Sequence, residues 1–146
     1  MTDREPDVAW RIPLAVYGTL RRGDRNHRLI EDATFLGTGS VEGSLHHVSV
    51  SPARAYGFPV LLDGEDSRVT VELYALASPD VLDTLDALEN YDAADEGGSE
   101  FLRRIVRVFD GPVDEAQIYR YNGPTDVLGE VIGGGDWLAF ELPADS

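Results

Sequence analysis

The sequence predicts an α+β fold, a small barrel of short strands with one good helix. Three observations predict it. Short apolar runs recur along the chain, and turns rich in glycine, proline or aspartate close them. A sustained helical period is confined to residues 79–90. Internal repeats and low-complexity segments are absent, and 146 residues suffice for one domain with a core of its own. We expect a flexible lead-in at 1–10, a single domain at 11–140 and a tail at 141–146.

Composition excludes several classes. Without cysteine there is neither a disulfide nor thiolate chemistry. No apolar run approaches membrane-spanning length, and the start, Met1-Thr2-Asp3-Arg4-Glu5-Pro6-Asp7, is too polar and acidic for a signal peptide. A soluble, cytoplasmic protein is expected, as a monomer or homodimer. The net charge of -15 argues against a nucleic-acid partner, because phosphate binding needs a basic face. All 12 basic residues are arginine, and the acidic ones are spread along the chain. Such an anionic, hydrated surface suits concentrated salt, where screening removes self-repulsion.

Taken in order, the first element is Leu14-Ala15-Val16 behind Pro13, a buried strand by its apolarity. Gly18 ends it, a residue that tolerates positive φ and lets a ligand approach the backbone. A strand tip of Tyr17-Gly18-Thr19 offers successive N–H groups to an anion or a carbonyl oxygen. Spacing alone also fits an ordinary turn at Gly18. Asn26 to Ile30 reads as a brief helical turn. Phe35 to Val48 alternates small or polar with apolar residues, and its recurrent glycines predict strongly bent strands, as at barrel corners. Phe58-Pro59-Val60-Leu61-Leu62, after Gly57, is another short strand closed by Asp63-Gly64. Val69 to Ala77 alternates cleanly, as a strand with two distinct faces does.

The period then changes. Ser78 suits an N-cap, Pro79 the first helical position and Asp80 the positive end of the helix dipole. Val81, Leu82, Leu85 and Leu88 give an amphipathic helix from Pro79 to about Asn90. Asp92 to Ser99 is a polar loop. Phe101 to Phe109 and Glu115 to Tyr121 form a hairpin through Asp110-Gly111-Pro112. Near the end, the glycines of Gly133-Gly134-Gly135-Asp136-Trp137 let the backbone pass close to another element.

Five separated features line up in order: Tyr17-Gly18-Thr19-Leu20-Arg21; Gly57-Phe58-Pro59; Leu85-Asp86-Ala87-Leu88-Glu89-Asn90-Tyr91; an aromatic-x-Arg-x-x-Val-x-Val strand at Phe101 to Val108; and Gly134-Gly135-Asp136-Trp137. Together, from about Leu14 to Trp137, the sequence resembles the γ-glutamylcyclotransferase-like superfamily. The resemblance implies a small mixed β-barrel flanked by helices, an acid–base glutamate at Glu89 and a substrate cradle at Tyr17, Gly18, Thr19 and Leu20. It departs at Phe101, where such proteins usually carry tyrosine, and in the long acidic loop before it.

The residues themselves permit that chemistry. Glu89 ends an apolar helix, where the dipole disfavours a carboxylate, and facing a barrel mouth would desolvate it too; both raise a pKa. Such a glutamate can take a proton and return it. A solvent-facing helix-end glutamate is the plainer alternative. The reaction implied is cyclisation of a γ-glutamyl amine or amino acid to 5-oxoproline, with release of the amine and with no metal or organic cofactor. The leaving group stays open among an amino acid, a lysine ε-amine, an alkylamine and a peptide. The Tyr17–Leu20 amides would hold either the oxyanion or the α-carboxylate. Arg103, Tyr121 and Trp137 are expected to support the site. The alternative function is a protein of the same fold that binds a small glutamyl-like anion without turning it over. His46-His47 are adjacent, so a strand points them to opposite faces and away from one shared metal ion. Asp83, Asp86, Glu89 and Asp92 recur at helical spacing as a solvated stripe more naturally than as a glycosidase carboxylate pair. The triple glycine lacks the strand, helix and lysine of a nucleotide loop.

Overall fold

A computed structural model describes residues 10–24, 26–48, 58–64, 67–129, 131–132 and 134–139. Residues 1–9 of the expected lead-in, Gly57, Gly133 and the expected tail at 141–146 lie outside the described residues. Seven strands are described: β1 (Leu14–Val16), β2 (Thr34–Glu42), β3 (Ser44–Val48), β4 (Phe58–Leu62), β5 (Arg68–Ala75), β6 (Phe101–Arg107) and β7 (Glu115–Tyr121). Helix α1 (Pro79–Leu88) lies between β5 and β6. The strands form a five-stranded sheet in the order β2-β5-β1-β7-β6 and a separate β3-β4 ribbon. Pairing is antiparallel throughout except between β1 and β7, which run parallel. The α+β class is as predicted, but the barrel is open. Its edges meet at one antiparallel bridge, Ser40 to Phe109, with N···O distances of 2.9 and 2.8 Å. No continuous ladder closes there.

Alternation along the central strands separates two apolar clusters. Leu14, Val16, Tyr74, Tyr119 and Tyr121 join Leu82 and Leu85 of α1 on one face. Ala15, Val69, Val71, Leu73, Ala116 and Ile118 pack on the other. The predicted two faces of β5 are therefore both buried. Its one acidic residue there, Glu72, sits among polar partners: it accepts from Arg21 Nε at 3.0 Å, Arg22 N at 2.8 Å and the Tyr74 hydroxyl at 2.9 Å. Leu82 and Leu85 each contribute about 1.5–3 kcal/mol by burial, which holds α1 against the sheet.

The ends of α1 follow from its sequence. Ser78 occupies the N-cap with extended backbone, φ −163° and ψ 163°, but its side chain makes no capping bond; Pro79 and Asp80 supply the helix start. At the other end Asn90 adopts φ 53°. Asn90 N–H donates to Ala87 O at 3.3 Å and Tyr91 N–H to Asp86 O at 2.9 Å. This left-handed stop fixes Glu89 as the last turn's cap residue.

Topology now gathers one edge of the sheet. Because β1 runs parallel to β7, their C-terminal ends lie side by side. The antiparallel β6 begins there too, with Phe101 opposite Tyr121. The Tyr17 hydroxyl donates to Tyr119 O at 2.7 Å and accepts from Leu61 N at 3.3 Å, which brings β4 to the same edge.

Candidate active site

A pocket of about 230 Å³ opens at this edge. Ala15, Val16 and the Tyr17–Leu20 segment form one wall, and Phe58 and Pro59 of β4 another. Leu88 and Glu89 at the end of α1, Glu100 and Phe101 at the start of β6, Tyr119 and Asn26 complete it. The structure thus brings Glu89 and all four residues of the expected cradle around one hollow. Glu89 is partly buried, not immersed in solvent.

The cradle owes its shape to a tight turn. Arg21 N–H donates to Gly18 O at 2.9 Å, and Asn26 N–H donates to Thr19 O at 2.8 Å. Asn26 Nδ2 also donates to Thr19 Oγ1 at 2.9 Å, while Leu20 O lies 2.9 Å from His27 Nδ1. All three carbonyls are thereby engaged. No described residue accepts from the N–H groups of Gly18, Thr19 or Leu20. The φ of Gly18 is not positive, so the position does not use glycine's tolerance of the left-handed region. A Cβ there would stand 2.5 Å from Pro59 Cγ and 3.0 Å from Pro59 Cδ. Glycine is needed for the close passage of β4, and this joins the first two sequence motifs in space.

Arg21 extends the turn inward. Its Nε meets Glu72 at 3.0 Å and its Nη1 meets Asp136 at 2.6 Å, with the Arg21 and Glu72 side chains both nearly excluded from water. Gly135 (φ 65°) passes against β5, its carbonyl accepting from Thr70 N at 2.8 Å. A side chain there would strike the Arg68 carbonyl oxygen. The glycine-rich C-terminal motif is therefore a close-approach segment that delivers Asp136 to Arg21.

The three expected supporting residues separate. Arg103 stands behind the pocket, its Nε and Nη2 on the two Asp86 oxygens at 3.0 and 3.2 Å and its Nη1 on Gln117 Oε1 at 3.0 Å. Asp86 also accepts from the Tyr119 hydroxyl at 2.6 Å, so this group ties the last turns of α1 to β6 and β7. Burial opposes the Arg103 charge, yet Asp86 holds the guanidinium above its ordinary value. Tyr121 and Trp137 do not line the pocket. The Tyr121 ring packs edge-on against Phe101 and its hydroxyl donates to Pro124 O at 2.8 Å. Trp137 stacks on His47 and donates from Nε1 to Asp24 at 2.7 Å. Their apolar type suits a core position as well as a pocket, and tertiary packing decides for the core.

Two phenols report the charge in the pocket. Burial, then the negative charge of Glu89, pushes Tyr17 well above its ordinary value, with the Leu61 N–H bond pulling the other way. Burial, then the hydrogen bond to Asp86, raises Tyr119, and Glu89 adds a smaller push. Both stay neutral hydrogen-bond donors near neutral pH. Chemically the pocket brings two carboxylates, Glu89 at a helix end and Glu100, to one hollow with the main-chain donors of the Tyr17–Leu20 segment.

The chain matches the family described as gamma-glutamyl cyclotransferase, AIG2-like, over residues 14–139. It belongs to this family. Among solved structures it is similar to an AIG2-like protein of Mus musculus, with 27% identity, 80% of this chain and 81% of that one covered, and a TM-score of 0.56. It is also similar to protein ytfP of Escherichia coli, with 29% identity, coverage of 87% and 96%, and a TM-score of 0.59. An uncharacterized protein of Pyrococcus horikoshii, 21% identical, shares the fold with a TM-score of 0.61 over 86% of this chain and 89% of that one. No curated protein matches the chain in sequence.

Several residues around the pocket of this AIG2-like chain escape sequence reasoning. Asn26 and Glu100 enter it from loops, and Tyr119 enters from mid-strand, where no local pattern marks function. The acidic loop before β6 is held by its own bonds: Arg104 grips Glu96 at 2.8 and 2.9 Å, and the Tyr91 hydroxyl donates to Glu96 at 3.0 Å. Among the described residues no group of three or more histidine or acidic side chains converges as a metal site. No described helix is long and apolar enough to cross a membrane.

Proposed function

We propose that this protein cyclises γ-glutamyl amines to 5-oxoproline, with Glu89 as the acid–base group. The observation that carries the reading is the shared pocket: Glu89 and the Tyr17–Leu20 segment border one hollow of about 230 Å³ in a chain of the gamma-glutamyl cyclotransferase, AIG2-like family. Glu89 takes a proton from the α-ammonium group of the substrate. The freed amine attacks the γ-carbonyl carbon, forming the ring C–N bond and a tetrahedral oxyanion. The bond to the departing nitrogen then breaks as Glu89 returns the proton to it, and a second proton passes from the ring nitrogen through the same carboxylate to the freed amine. Of the three protons on the starting ammonium, one stays on the lactam nitrogen and two leave with the amine. Glu89 ends as it began.

Because both reacting groups belong to one molecule, the pocket mainly has to fold the glutamyl chain. Such orientation is worth roughly 7–11 kcal/mol in favourable cases. The cradle amides bind the oxyanion or the α-carboxylate. Purified protein incubated with γ-glutamyl amines is expected to release 5-oxoproline, read by mass spectrometry. Glu89→Gln keeps the shape and removes the base, so turnover falls by roughly 10²–10⁴ while the fold survives. Unchanged turnover in that variant removes Glu89 from the mechanism. Ligand binding with no 5-oxoproline from the unaltered protein makes it a binding protein instead.

A further inference from the structure

We propose that Asn26 is a positioning residue: it turns the Thr19 hydroxyl into a donor for the α-carboxylate of the γ-glutamyl group. The inference rests on the cyclisation reading and adds a side-chain donor to the main-chain ones of the cradle. A γ-glutamyl substrate brings a full negative charge on that carboxylate, with about four acceptor positions to satisfy. The described residues lining the pocket include no arginine, lysine or histidine, so neutral donors meet it on these walls. The side chains there that can donate while neutral are Tyr17, Thr19, Asn26 and Tyr119. Tyr17 spends its hydrogen on Tyr119 O, and Tyr119 spends its own on Asp86. Asn26 directs an amide hydrogen to Thr19. The hydroxyl hydrogen of Thr19 remains.

Asn26 fixes which way that hydrogen points. The residue is 7% exposed and holds Thr19 at two atoms, by N–H to Thr19 O at 2.8 Å and by Nδ2 to Thr19 Oγ1 at 2.9 Å. It stands at the N-cap of the single-turn helix His27–Ile30, where an asparagine side chain ordinarily accepts from a helix N–H. Here the side chain makes no capping bond. A hydroxyl has one hydrogen and two lone pairs. With one lone pair taken by Nδ2, the hydrogen of Thr19 turns away from Asn26, and among the described residues no acceptor takes it. Thr19 and Asn26 both line the hollow, with Gly18 and Leu20 beside them. The hydroxyl thereby joins the row of N–H groups as one more donor, aligned before any ligand arrives. Such preorganisation lowers the ordering cost of binding.

Two probes test this: γ-glutamyl-n-butylamine, and γ-aminobutyryl-n-butylamine, which has hydrogen in place of the α-carboxylate and closes to pyrrolidinone. The unaltered protein is expected to favour the first in kcat/KM, and general losses of turnover cancel in the ratio. Thr19→Val keeps the shape and removes the hydroxyl, so the preference should shrink about tenfold, as loss of one hydrogen bond to a charged group gives. Thr19→Ser, which keeps a hydroxyl, should hold it within about threefold of the original. Asn26→Ala frees the hydroxyl to turn, so it should shrink the preference about threefold alone and not at all in the Thr19→Val background. An unchanged preference in Thr19→Val, or an equal effect of Asn26→Ala in both backgrounds, overturns the proposal. Calorimetric binding of 5-oxoproline against pyrrolidinone gives the same comparison without turnover. Absence of lactam from both probes overturns the cyclisation, while that binding ratio still decides the role of Asn26. Should Asn26→Ala fail to fold, Asn26→Asp replaces it in the cycle. Its carboxylate only accepts and captures the hydroxyl hydrogen, so the drop must be larger with Thr19 than in Thr19→Val, and an equal drop refutes the assignment.

Discussion

Replacing Gly18 by alanine adds one methyl group where the first loop passes β4. The new Cβ would sit 2.5 Å from Pro59 Cγ, about 1 Å inside the normal approach of two carbon atoms. The proline ring cannot rotate away, and its neighbours Val60 and Leu61 are at most 1% exposed. The strain must then go into the backbone of β4 or of the loop. Overpacking of this kind costs about 1–3 kcal/mol. Because the φ of Gly18 is not positive, alanine also recovers about 0.4–1 kcal/mol by stiffening the unfolded chain. A net loss of about 1–2 kcal/mol lowers Tm by about 3–6 °C for a domain of this size. Both partners line the pocket, so KM for a γ-glutamyl amine should rise together with the loss of stability. The assay is a melting curve and a KM measurement on Gly18→Ala, Pro59→Ala and the double variant. Smaller residue 59 makes room, so the double variant should lose about 1 kcal/mol less than the two single losses combined. An unchanged Tm and KM in Gly18→Ala, or strict additivity, would refute the claim that this contact shapes the site.

Two further predictions concern the frame of the site. Asp86→Ala strands a guanidinium and the Tyr119 hydroxyl that now meet on one carboxylate; the pair is about a fifth exposed, so we expect a loss of about 2–4 kcal/mol in urea unfolding, and less than about 1 kcal/mol would show the group to be ornamental. Tyr17 and Tyr119 both have folded-state values raised above the ordinary 10.0, so the unfolded chain gives up its phenolic protons first. Stability is then whole below pH 10 and falls above it by up to about 2.7 kcal/mol per pH unit for the two groups together. Melting curves followed with tyrosinate absorbance test this, and a Tm flat through that range would contradict it.

What the sequence makes legible here is local. The hairpin strand Glu115–Tyr121 and the start of helix α1 at Pro79 fall where the residue pattern puts them, because alternation and helical period act over a few neighbours. The helix stop was less legible: Asn90 in the left-handed region ends it, a role a period count does not see. Gly18 shows the other limit. Its type was informative, but the reason lies 41 positions downstream in Pro59, and only tertiary structure supplies that. Likewise Glu89 is visible as the last polar residue of an apolar helix, whereas Glu100 lies in a charged loop where one more acidic residue carries no signal.

The salt link between Arg21 and Asp136 spans 115 positions. The loop that begins at Tyr17 is secured by a residue more than a hundred positions later, with β1 wedged between two strands that follow it in the chain. During synthesis, therefore, the link that secures this loop cannot form until Asp136 has been made. Assembly must wait for distant partners, which places this small domain among the slower folders for its length.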